Sequence, residues 1–168
     1  RVGELGAAWG MRPIGCVDRT SPEYAASLRL KGIELTDLDS VLARSDYVSI
    51  HVPLTPSTQH LIDAGAMARM KTGAFLINTA RGGIVDESAL QKELTKGRLA
   101  GAALDVHERE GEGTISSLGH LDNVVLTPHI GGMASDSQRR IGRRVIEIID
   151  SFGEGFLDET LSDGERVV

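Results

Sequence analysis

Ala74-Phe75-Leu76-Ile77-Asn78-Thr79-Ala80-Arg81-Gly82-Gly83 is the stretch that decides the fold. Ala74 to Thr79 is an apolar, β-rich run. After the glycine-marked turn, Glu87 to Thr95 has helical period and stops near Gly97. Strand, turn and helix in that order form one unit of a parallel sheet covered by helices.

The alternation continues on both sides. Upstream, Arg12 to Asp18 and Gly32 to Leu35 read as strands, Asp37 to Arg44 as a helix with Asp37 as N-cap, Asp46 to Val52 as a strand and Ala64 to Met70 as a helix. Downstream, Gly101 to Val106 and Asn123 to Thr127 read as strands. A final helix is expected from Ser135 to Phe152, with Ile141, Val145, Ile148, Ile149 and Phe152 on one face that must be buried. Glu110 to Leu121 reads as a loop, and residues 153–168 as a polar acidic tail. The expected class is α/β, a doubly wound parallel sheet, with 1–152 as one domain.

The 168 residues suffice for a domain with a real core, and 40% hydrophobic with 25% charged residues is ordinary globular usage. No apolar run approaches the roughly 20 residues of a membrane helix. The net charge of −6 repels nucleic acid and anionic membranes, so a small molecule is the expected partner. Cys16 is the only cysteine, which fits a reducing, cytoplasmic setting. His51, His60, His107 and His120 lack metal-ligand spacing, so no metal is expected.

The opening glycines, Gly3, Gly6 and Gly10, do not have Gly-x-Gly-x-x-Gly spacing and follow no strand. Val2, Leu5, Ala8 and Trp9 instead share a helical face, with Gly10 at the C-terminal stop. On this reading the first strand and its phosphate-binding glycine loop are expected before Arg1, making the chain a fragment incomplete at its N-terminus.

Chemistry is expected at the strand ends, where open parallel sheets bind ligands. Asp18, His51-Val52-Pro53, Asn78 to Gly83 and Thr127 to Gly132 should converge on one crevice. Asp18 can accept hydrogen bonds from both hydroxyls of an adenosine ribose while repelling a 2′-phosphate, which favours NAD over NADP, although Arg19 beside it could partly rescue a phosphate. Taken alone, Asp18 is equally a turn residue. Arg81 could grip a carboxylate with two parallel hydrogen bonds; a lone arginine after a strand is more often a surface charge. His129 lies in a Pro-His-Ile-Gly-Gly turn and Glu110 in an acidic run past another strand. A carboxylate beside an imidazole orients it and suits it to proton transfer near neutral pH. Arginine, acid and histidine beside a nucleotide crevice suggest carbonyl chemistry; Walker, zinc and nucleophile-elbow signatures are missing.

The sequence resembles the D-isomer-specific 2-hydroxyacid dehydrogenase family. The resemblance rests on His51-Val52-Pro53-Leu54-Thr55, on Met70 to Glu87, on Gly101-Ala102-Ala103-Leu104-Asp105-Val106 and on Asn123 to Gly132. It implies a Rossmann-like nucleotide domain and hydride transfer between NAD(H) and a 2-hydroxy or 2-oxo acid. Arg81 would bind the substrate, His129 would be the general acid/base, and Glu110 would hold the histidine. The family places this acid five residues after the Asp of Leu-Asp-Val, which selects Glu110 over Glu108. Asp105 would meet the nicotinamide carboxamide. Val52, Pro53, Thr79, Ala80, Arg81, His129, Gly131 and Gly132 would line the cofactor.

Gly111-Glu112-Gly113 follows Glu110 where the family commonly has Pro. The resemblance also implies a homodimer, and a substrate domain to which residues 153–168 would begin the return. Its other reading is an NAD-sensing binding module, like the corepressor relatives, without physiological turnover.

Overall fold

The computed structural model describes residues 1–110 and 116–160, with side chains in the last helix only as far as Phe152. Gly111-Glu112-Gly113 and the tail beyond Thr160 lie outside the described residues. The chain divides into two compact units, Arg1–Pro128 and His129–Val168.

In the first unit, the opening residues form helix α1 (Val2–Ala8), as the spacing of Val2, Leu5 and Ala8 predicts. Gly10, at φ 81°, ends it, and Met11 N–H turns back to Gly6 O. Strand β1 (Ile14–Gly15) follows, then helix α2 (Pro22–Leu30), which the sequence reading left unassigned. Its start was nonetheless written locally: Ser21 Oγ accepts from Tyr24 N–H and Pro22 occupies the first turn. Strand β2 (Glu34–Leu35) pairs in parallel with β1, and α3 (Leu38–Arg44) is capped by Asp37, as expected.

Strands β3 (Tyr47–Ile50), β4 (Phe75–Asn78), β5 (Gly101–Leu104) and β6 (Val124–Leu126) form a second, fully parallel sheet in chain order. Helix α4 (Ala64–Arg69) joins β3 to β4, and α5 (Glu87–Thr95) joins β4 to β5. Between β5 and β6 lies a short 3₁₀ helix, Ser117–His120, where the sequence reading expected only loop. Among the described residues the two sheets do not pair with each other, and both are parallel, as the expected α/β class requires.

Alternation places Val48, Ile50, Leu76 and Leu104 on one face of the larger sheet. They pack there with Leu42 of α3, Met67 of α4, and Leu90 and Leu94 of α5. The opposite face carries Tyr47 stacked on Phe75 at 5.2 Å, and both rings are exposed.

In the second unit, helix α6 spans Ser135–Thr160 and so passes the expected stop at Phe152. The tail's Gly153 and Gly155 do not stop it, because each costs a helix only about 1 kcal/mol and extending a formed helix needs no new nucleus. Its apolar stripe corrects an expectation: among the described residues Ile149 is 62% and Phe152 73% exposed rather than buried.

Candidate active site

The register of the larger sheet runs Ile50–Asn78–Leu104–Leu126, so the segments leaving β3, β4, β5 and β6 start from a common edge. That edge is the carboxyl end of every strand. It brings together Val52 and Pro53 after β3, Thr79, Ala80 and Arg81 after β4, Asp105 after β5 and Thr127 after β6.

The Arg81 turn is held from beneath by Asn78, which is 1% exposed. Its side-chain oxygen accepts from Ala80 N–H at 3.0 Å, and its amide donates to Arg81 O at 2.9 Å. The Arg81 side chain is exposed and donates to Ala80 O at 2.6 Å. The next residue abuts the loop after β5: a Cβ on Gly82 would lie 1.8 Å from His107 O. Only glycine permits two backbones to come that close.

Asp105 is buried at the same edge. Its backbone N–H donates to Asn78 O at 2.9 Å, and one carboxylate oxygen accepts from Thr127 Oγ1 at 2.5 Å. Glu110, three residues past His107, accepts that residue's backbone N–H at 2.9 Å. Glu108, the competing acid, accepts instead from Glu87 N–H and lies 3.1 Å from the His60 ring nitrogen.

His129 opens the second unit, with a left-handed backbone at φ 54°. Such strain in a non-glycine residue is concentrated at functional positions. The turn after it closes with Met133 N–H to Ile130 O, and Gln138 of α6 donates to Gly132 O at 3.0 Å. Asp18 is three residues beyond β1, in the smaller sheet's half of the first unit, fully exposed with Arg19 at 3.8 Å. The described residues include no cluster of three or more potential metal ligands.

A parallel sheet with backbone groups, a buried carboxylate and an arginine at its carboxyl edge suits an anionic dinucleotide and an acid substrate. Residues 1–131 match the family model for the D-isomer specific 2-hydroxyacid dehydrogenase NAD-binding domain. The chain belongs to this family. It is 42% identical to the hydroxypyruvate reductase of Thermotoga maritima over 150 residues, covering 88% of this chain and 47% of that protein. It is 43% identical to the D-3-phosphoglycerate dehydrogenase of Mycobacterium bovis, covering 100% of this chain and 32% of that protein. The crystal structure of D-lactate dehydrogenase from Aquifex aeolicus, complexed with NAD and lactic acid, aligns with a TM-score of 0.79 at 33% identity, over 96% of this chain and 52% of that one. The chain thus spans between a third and about half the length of these relatives.

NAD is the cofactor of this dehydrogenase domain, and the donor set fits it: Asp105 offers a buried acceptor, and the strand ends offer backbone groups. The sequence reading placed Asn78 in the crevice without a role and gave none to Glu87 or His107. Asn78 carried a signal, since an Asn ending an apolar run forms such turns. Glu87 and His107 carried none, because their partners lie far away in the chain.

Proposed function

We propose that the protein containing this chain is an oxidoreductase that transfers a hydride between NAD(H) and a 2-hydroxy or 2-oxo acid, the hydroxy acid having D configuration. The observation carrying the proposal is the Arg81 turn, fixed by buried Asn78 and backed directly onto the loop that bears Glu110. Arg81 grips the substrate carboxylate and polarises its carbonyl. The bound nicotinamide supplies the hydride to carbon 2, or accepts it in the reverse direction. His129 gives its proton to the substrate oxygen during reduction and takes it back during oxidation, and Glu110 orients the histidine. Glu108, engaged by Glu87 and His60, leaves that role to Glu110.

On the cofactor side, Val52, Pro53, Thr79, Ala80, Gly131 and Gly132 offer backbone contacts. Asp105 accepts from the carboxamide, and Asp18 binds the adenosine ribose and favours NAD over NADP. Residues 1–152 act as the nucleotide-binding domain. The exposed stripe on α6 supports a homodimer, and the lone Cys16 a cytoplasmic location. Among the described residues no helix is long and apolar enough to cross a membrane.

The test is NADH consumption by the full-length protein with glyoxylate, hydroxypyruvate, pyruvate and a phosphorylated three-carbon 2-oxo acid. Turnover with a D product is expected. NADH binding without turnover of any acid would overturn the enzymatic reading in favour of an NAD-sensing module.

A further inference from the structure

We infer that His107 is a positioning residue for this reaction, tying the Glu110 carboxylate, the end of β6 and the Arg81 turn into one rigid unit. The inference rests on the function proposed above and adds a residue to it.

His107 makes three contacts with three different parts of the edge. Its backbone N–H donates to Glu110 Oε1 at 2.9 Å, which fixes one oxygen of the acid. Its ring nitrogen Nε2 lies 2.9 Å from Thr127 O. A carbonyl can only accept, so Nε2 carries the proton and the ring donates across to β6. Its own carbonyl oxygen lies where a Gly82 Cβ would stand, so the backbone after Arg81 rests on it. Thr127 is thereby held twice, because its hydroxyl also donates to Asp105.

The loop is clamped from its other side by the first residue of α5. Glu87 Oε1 accepts from Glu108 N–H at 2.8 Å, Glu87 Oε2 accepts from Ser116 Oγ at 2.9 Å, and Glu108 Oε1 accepts from Glu87 N–H at 3.1 Å. The remaining ring nitrogen, Nδ1 of His107, is buried without a hydrogen-bond partner, 3.9 Å from Glu87 Oε1. A histidine placed only to fill space would not direct one nitrogen at a strand-end carbonyl while leaving the other buried and unsatisfied. An apolar side chain would fill the volume more cheaply. The return for that cost is the fixed distance between the acid loop and β6, which leads into Pro128-His129.

Removing the ring's donor while keeping its bulk should loosen Glu110 without emptying the site. The comparison is His107→Phe against His107→Gln, since the glutamine amide can reach Thr127 O as Nε2 does. Both are read in the full-length protein by kcat, KM, NADH affinity and thermal midpoint. His107→Phe should lower kcat by about 10- to 100-fold, the usual consequence of an ångström-scale misplacement, with KM and NADH affinity nearly unchanged. His107→Gln should recover most of kcat. Wild-type kcat in His107→Phe would overturn the inference, as would equal losses in both variants that track the fall in thermal midpoint. Wild-type protein that binds NADH but reduces none of the acids would instead refute the proposed function, and this role with it.

Discussion

Replacing Gly82 with alanine tests the closest approach in the site. A Cβ there would lie 1.8 Å from His107 O, 2.5 Å from His107 C and 3.2 Å from Glu108 N. All three are backbone atoms, so no side chain can rotate away. To reach ordinary van der Waals contact, the Arg81 turn and the acid loop must separate by roughly 1.5 Å. Forcing a methyl into packed structure costs about 1–3 kcal/mol. Displacing a substrate-binding group by about 1 Å can cost roughly 10²-fold in rate. The assay is kcat/KM for a 2-oxo acid with NADH in the full-length protein, beside a thermal melt. Gly142→Ala is the control: it stands inside α6 with nothing within 4 Å of the added carbon, and alanine there should stabilise by about 0.5–1 kcal/mol with activity unchanged. If Gly82→Ala keeps both wild-type activity and the wild-type melt, the two backbones are not in contact and the reasoning fails.

Other outcomes follow from the same geometry. Arg81→Lys should raise KM for the acid by at least about 10-fold, because an ammonium cannot reproduce two parallel hydrogen bonds; an unchanged KM would remove Arg81 from substrate binding. His129→Ala should cut turnover by roughly 10²- to 10⁴-fold and leave NADH titrations nearly unchanged, and full turnover would reject it as the proton donor. Asp86 caps α5 by accepting from Ala89 N–H at 2.9 Å, so Asp86→Ala should cost about 1 kcal/mol in denaturant unfolding while Asp86→Asn costs little. On the acid side, hydrogen bonds from Arg44 to Glu34 and from Lys71 to Asp46 hold these carboxyls below their ordinary 4.5 and 3.8. Groups depressed in the folded state contribute stability that is present above the unfolded value and lost as pH falls through the folded one. The thermal midpoint should therefore decline below pH 4.5 and less steeply in Glu34→Gln; a midpoint that held or rose there would contradict the pairing.

Elements with a local signature were legible in the sequence. Asp37 and Asp86 mark the starts of α3 and α5 because a cap acts within three residues. The apolar runs ending at Ile50, Asn78 and Leu104 mark strands buried on at least one side. The same signals placed Val52, Ala80, Arg81 and Asp105 at the strand ends, because a parallel sheet sets all of its carboxyl ends along one edge. Helix α2 went unread although Ser21-Pro22-Glu23 is a sound start, since its later residues, from Tyr24 to Leu30, show only a weak apolar face.

What was not legible depends on partners distant in the chain. Periodicity gives α6 an apolar stripe but does not say which surface covers it, and in this chain alone Ile149 and Phe152 remain exposed. Composition likewise cannot tell which parallel strands share a sheet, because among the described residues β1 and β2 pair with each other and not with β3. The clamp around His107 fails to show for the same reason. Glu87 and Glu108 each donate a backbone N–H to the other's carboxylate across 21 residues, and His107 reaches Thr127 across 20. None of these pairs has a spacing that either residue announces. The side chains proposed as catalytic thus stand in short motifs, whereas the contacts around the Arg81 turn and the acid loop exist only once β4, β5 and β6 lie side by side.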